Sequence, residues 1–223
     1  MKISHFDFSE PFELKNNFGI LIVENSQKLY EYCYDFLSLQ SNDEGDFIIS
    51  DNNKELSFKK NAYIVFDFFN LSMQDKKIIA GLYSELSKIV DEKHPSEQWE
   101  ICCKITNLMD KLSLECDYPI EHSEQIFFTD FLKLLKVQPL STYDNFLEKI
   151  TNYIDAIASF TDIKLLIFVG LRMFLSKEDM LSLIKHVAYS SVNVLMIENI
   201  QPKRLNDETM LIIDKDLCEI LVK

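Results

Sequence analysis

Two apolar runs in this chain end where a nucleotide-binding fold would carry its phosphate loop, and neither is followed by one. After Gly19-Ile20-Leu21-Ile22-Val23 the chain continues Glu24-Asn25-Ser26-Gln27-Lys28, whereas a phosphate loop needs G-x-x-x-x-G-K-[ST] so that backbone amides can wrap the anion. Without those glycines the wrap cannot form, and Glu24 would repel a pyrophosphate. The second run, Leu165 to Val169, leads into Gly170-Leu171-Arg172-Met173-Phe174, which offers a single glycine. Neither nucleotide binding nor ATP hydrolysis is expected. A strand ending in Glu also begins some metal-dependent nuclease sites, but these need an Asp-x-Asp pair on a following strand to hold magnesium. Asp67 is followed by Phe68-Phe69, and Asp214-Lys215-Asp216 comes too late and falls in a turn. No serine or cysteine stands in a recognisable nucleophile elbow. The residues point away from catalysis.

Two groups remain that could bind a ligand. Glu115, Asp117, Glu121 and Glu124 place four carboxylates within ten residues between two helical segments. Such oxygens suit calcium, although the spacing is not that of an EF-hand and no central glycine is present, so a solvated acidic loop is the stronger reading from spacing alone. Lys133 and Lys136 lie one turn apart near the end of a helical segment, and Lys149 lies on the next one. They read first as polar faces of amphipathic helices, and each could also contact a phosphate. Five cysteines without a C-x-x-C pair and four scattered histidines give no support for a zinc site.

The elements that must position these groups are read from periodicity. With 47 % hydrophobic residues among 223, and only 4 Gly and 5 Pro, the chain has material for a large core and few tight turns. No apolar run is long enough to span a bilayer, and the N-terminus alternates like a strand where a secretory signal would have an apolar core, so a cytoplasmic protein without membrane contact is expected. Ile3 to Phe8 and Phe12 to Leu14 read as a hairpin around Pro11. Gly19 to Val23 reads as a buried strand, followed by a helix capped by Asn25 or Ser26 with Leu29, Cys33, Phe36 and Leu37 facing inward. Phe47 to Ile49 and Ala62 to Asp67 are further strands, joined by a polar segment over 50–61. From Ser72 the spacing turns helical. Ile78 to Val90 form one helix, ended by His94-Pro95; Trp99, Cys102, Ile105, Leu108, Met109 and Leu112 mark a second; Ile126 to Leu135 make a third, and Pro139 closes the segment. Another helix, Tyr143 to Ile157, runs into the strand Leu165 to Val169. Ser176 and Asp179 then cap a helix with Met180, Leu183, Ile184 and Val187 on one face, leading to a strand at Val192 to Ile197 in what reads as a right-handed parallel crossover. Met210 to Ile213 and Cys218 to Val222 form a closing hairpin. The chain therefore reads as α/β, with a parallel or mixed sheet from 1–71 and 139–223 and an all-helical insertion at 72–138.

The order of several short segments carries a resemblance. KLLIFV, FLSKED and VNVLMIE, with PFEL before GILIVEN, EKHP between the two long helices, YDNFLEK before the later strand and IDKD at the final turn, together resemble the accessory spacer-acquisition protein of type II-A CRISPR systems in its short form. The resemblance covers almost the whole chain. It implies an α/β head derived from a P-loop-like core without its nucleotide site, an elongated helical leg, and a homotetrameric ring. It further implies that the ring binds double-stranded DNA ends without sequence preference, is held by calcium, and works with the CRISPR integrase proteins and the effector nuclease. A ring would also reconcile a net charge of −13 with DNA binding, since an acidic exterior can coexist with a lysine-lined hole. The segment matching the acidic calcium region reads ECDYPIEHSEQ, in which Pro119, His122 and Ser123 interrupt the carboxylates. The competing reading is an oligomeric α/β scaffold that binds a protein partner through its helices without touching DNA.

Overall fold

The computed structural model describes residues 1–42, 44–123, 125–202, 205 and 208–222. It is a mixed α/β protein with two sheets and seven helices among those residues. The chain divides into two compact units, one made of Met1–Ser72 with Thr142–Lys223 and the other of Met73–Ser141.

The first unit is built on six strands: β3 (Phe18–Val23), β6 (Ala62–Val65), β7 (Leu165–Val169), β8 (Asn193–Glu198), β9 (Met210–Ile213) and β10 (Glu219–Val222). Their order is β10-β9-β3-β8-β7-β6, all parallel except β10. The central strands are buried along their whole length because both faces are covered, and all but the ends of β8 are apolar. Leu21, Val23, Leu165, Ile167, Leu195 and Ile197 share one core with Tyr32, Phe36 and Leu39 of helix α1 (Ser26–Asn42). Ile20 and Ile22 point to the opposite face, where α7 (Lys177–Ala188) packs on β3 and against α6 (Phe146–Phe160). Gly19 is required by packing: a methyl at its Cβ position would lie 2.5 Å from Leu14 Cδ2.

A second sheet caps the α1 side with order β2-β1-β4-β5: β1 (Lys2–Ser4), β2 (Phe12–Glu13), β4 (Ile48–Asp51) and β5 (Lys54–Leu56). The expected β1 and β2 hairpin pairs antiparallel, although β1 stops at Ser4 because the His5 carbonyl accepts the Phe8 N–H in a turn. The stretch over 50–61 is more than a polar connector. Asn52 and Asn53 adopt φ of 48° and 62°, the conformation of a two-residue hairpin turn, which creates β5 before the short helix α2 (Phe58–Asn61). In α1 the cap is Asn25, whose Oδ1 accepts the Lys28 N–H, and Leu37 faces solvent where an inward position was expected. The outer edge of β6 is covered by a side chain, with Gln40 Oε1 accepting the Ile64 N–H at 2.8 Å.

The second unit holds α3 (Lys76–Lys93), α4 (Pro95–Glu115) and α5 (Phe128–Leu134). Asp75 caps α3, and Pro95 opens α4 at a position where its missing N–H costs nothing. Tyr83 ties α3 to α5 by donating to the Leu132 carbonyl at 3.1 Å. No residue of α4 is buried, and Trp99, Leu108 and Leu112 of its apolar stripe face solvent, as do Ile101 and Leu114. No helix among the described residues is long and apolar enough to cross a membrane.

Candidate functional site

In an open parallel sheet, ligands settle outside the C-terminal ends of the strands where the winding reverses. Here β3 leads away to the far edge strand β6, the chain steps back through β7 to β8 beside β3, and it then passes to β9 on the other side. The reversal lies between β3 and β8. Glu24 follows β3 directly and Glu198 ends β8, with Ile22 and Glu198 in register. The switch point therefore presents carboxyl groups in place of a phosphate loop.

Glu198 is only 6 % exposed. Burial pushes its carboxyl up to about 7, and the main-chain N–H and nearby charge of Arg172 only partly counter this. Its Oε1 accepts that N–H at 2.8 Å. The turn that brings Arg172 there depends on Gly170, at φ 77°, whose N–H bonds the Ile197 carbonyl at 2.9 Å. The Arg172 guanidinium pairs with the buried carboxylate of Glu208, which also accepts the Leu205 N–H at 2.8 Å. This buried network pins the β7 turn and the segment before β9 to the end of β8. Sequence reasoning missed it. The available signal was a Glu closing an otherwise apolar strand.

Of the candidate lysines, Lys133 and Lys136 are exposed in the helical unit. Lys133 is paired with Asp130 at 2.9 Å, and Lys136 follows α5 in a left-handed turn at φ 51°. Lys149 corrects its reading as part of a polar helix face. It is 8 % exposed, its ammonium donates to the Phe69 carbonyl, and it lies 5.6 Å from the Tyr143 ring centroid. Its charge is held inside the α/β unit, beside the Phe68, Phe69, Phe146 and Phe174 cluster.

Glu115 ends α4, and Asp117 and Glu121 follow it, all three exposed; Glu124 lies outside the described residues. Among the described residues no three of His, Cys, Asp or Glu approach closely enough to hold a metal ion. The acidic segment does fold back at one point, where His122 Nε2 lies 3.0 Å from Asp110 Oδ1.

Comparison with known proteins places these features. The chain is 26 % identical to "CRISPR-associated protein Csn2" of Streptococcus agalactiae, with 97 % of this chain and 96 % of that protein aligned. Residues 39–217, well over half of the chain, match the family described as CRISPR-associated protein (Cas_Csn2). The resemblance drawn from the scattered short segments is thus upheld, and the chain belongs to the Cas_Csn2 family of CRISPR-associated proteins.

Proposed function

We propose that this protein acts in CRISPR adaptation as a non-catalytic homotetrameric ring that binds the ends of double-stranded DNA without reading sequence. The observation that carries this is the family match across residues 39–217. In this reading the α/β unit is the head, a P-loop-like core in which Glu24 and the buried Glu198 network have replaced phosphate-binding amides, and Met73–Ser141 is the leg. Two features support assembly and DNA contact. Part of the apolar stripe of α4, at Trp99, Leu108 and Leu112, is left without cover in a single chain, as expected of a helix that meets another subunit. The exposed Lys133 and Lys136 would be repeated by symmetry, which lets a protein of net charge −13 concentrate positive charge on one axis. Lys149, being buried, is dropped from the DNA path. Calcium is retained as a stabiliser of the assembly, with Glu115, Asp117, Glu121 and Glu124 completed by carboxylates of another copy. Integrase proteins and the effector nuclease are the proposed partners.

Threading through a ring requires a free end. Linear duplex should bind well and covalently closed circular duplex of the same sequence poorly; equal binding to both rejects the ring.

The solvent-facing Trp99, Ile101, Leu108, Leu112 and Leu114 also favour a second reading, a scaffold that engages a protein partner through α4 and leaves DNA alone. Failure of both linear and circular duplex to bind, with the oligomer intact, selects it.

A further inference from the structure

On the α1 side of the α/β unit lies a cleft of about 320 Å³ between the turn after β1 and the outer face of α1. Its walls are of two kinds. Tyr30 and Tyr34, one turn apart on α1, stack with ring centroids 6.1 Å apart and are 63 % and 60 % exposed, and Phe6 is exposed on the β1 turn. Glu31, Asp35, Glu44 and Asp46 line the same cleft. Among the described residues Lys28 is the one lysine or arginine lining the cleft, and it is already engaged, 2.5 Å from Asp7 and 3.4 Å from Glu31. Asp35 is fixed as an anion acceptor by the main-chain N–H groups of Asp46 and Phe47. The Lys28 ammonium already lies 5.5 Å from the Phe6 ring centroid, so the four carboxylates and the exposed Tyr30 and Tyr34 rings are what remain to attract a flat cation.

A third group asks for a different partner atom. His5 lines the same cleft yet is 8 % exposed, enclosed by Phe8, Tyr32 and Phe47. Its Nδ1 accepts the Asp7 N–H at 3.1 Å. Burial draws its pKa below the ordinary value, outweighing the attraction of Asp7, so the neutral ring carries its proton on Nε2. No described residue accepts a hydrogen bond from that nitrogen. That nitrogen opens to the cleft, and a carbonyl oxygen delivered from outside would take the place of water there.

We propose that this cleft captures an arginine side chain of a protein partner, the guanidinium stacking on Tyr30 and Tyr34 and facing Glu31 and Glu44, while a main-chain carbonyl of the same segment accepts from His5. A metal ion is the wrong occupant, because no three acidic or imidazole groups converge among the described residues. A lysine is the weaker one, being a hydrated point charge that gains less from a ring face than a planar guanidinium does. A free small cation would bring no acceptor to the His5 nitrogen, whereas a peptide brings charge and carbonyl together. The proposal stands apart from the DNA-binding reading and survives its failure.

The test uses the full chain and two fluorescein-labelled peptides, one with three glycine-spaced arginines and its twin with lysines, followed by fluorescence anisotropy. The arginine peptide should bind saturably and at least about threefold more tightly than its twin. Tyr34→Ala and Tyr30→Ala should each weaken it roughly fivefold. Both tyrosines are exposed, so the melting temperature should stay unchanged in these variants. Glu92→Lys on α3, which alters net charge in the other unit, should leave affinity unchanged. Equal binding of the two peptides, equal loss on Glu92→Lys, or no saturable binding each overturn the proposal, the first two by showing diffuse attraction to an acidic surface.

Discussion

The main-chain N–H of Arg172 donates to the carboxyl of Glu198 across 2.8 Å, joining the turn after β7 to the last residue of β8. The bond holds whether the carboxyl is protonated or not, but the charged form is disfavoured by burial, which pushes Glu198 up to about 7 from an ordinary 4.5. The unfolded carboxyl therefore ionises first. Between pH 4.5 and 7 folding takes up a proton, so stability falls as pH rises through that window and levels off above it. Glu198→Gln keeps an acceptor for Arg172 and removes the charge. It should stabilise the protein at pH 8, by at most about 3 kcal/mol, and have little effect at pH 4. Urea denaturation of both proteins across that range checks this; a difference that does not change with pH would refute it.

Lys149 should matter to folding and not to nucleic acid. Lys149→Met preserves the aliphatic stem but leaves the Phe69 carbonyl without its donor. A loss of about 1–2 kcal/mol in denaturant unfolding is expected, with duplex affinity of the folded variant unchanged. A large drop in affinity without loss of stability would return Lys149 to the DNA path.

Lys133 and Lys136 carry the opposite expectation. Both are exposed, so replacing both with Glu should leave the melting temperature nearly unchanged while weakening linear duplexes of every sequence to the same degree. The log-log salt slope should shrink by about 0.9 for each phosphate that is no longer neutralised. Sequence-dependent weakening, measured by anisotropy on two unrelated duplexes, would show that bases are being read.

Calcium dependence should appear only in the assembled protein, because among the described residues of one chain no three acidic or imidazole groups converge. A chelator is expected to lower the melting temperature and reduce oligomer mass together, since a ligand that binds only the assembly stabilises it by mass action. Light scattering combined with calorimetry, with and without chelator, decides the matter; no change in either discards calcium.

Local features were legible in the residues because their causes are local. Ser176 and Asp179 form the capping box that their spacing indicates, with Ser176 Oγ accepting the Asp179 N–H at 3.1 Å and Asp179 Oδ2 accepting the Ser176 N–H at 3.1 Å. The apolar runs within β3, β7 and β8 became central strands for the same reason, since only cover on both faces tolerates them. What stayed hidden depends on distant parts of the chain. Lys149 looks polar on its helix, and only the fold brings Phe69, 80 residues earlier, to its ammonium. Arg172, Glu198 and Glu208 are separated by tens of residues and meet only once the sheet is ordered. The hairpin at Asn52-Asn53 is hidden for a different reason, because two adjacent asparagines in a polar stretch read as a linker although their tolerance of positive φ allows a turn.

Gln40 occupies the place at β6 where the carbonyl of a seventh strand would sit, receiving the Ile64 N–H. A parallel sheet of this apolarity is a ready template for runaway cross-strand growth between molecules crowded on a polysome, and one side-chain amide occupies a backbone donor at its β6 border. Taking it away, as in Gln40→Ala, would leave the native packing of the core in place yet invite fibrillar deposits during expression, a proteostasis cost invisible to any assay of the purified, folded protein.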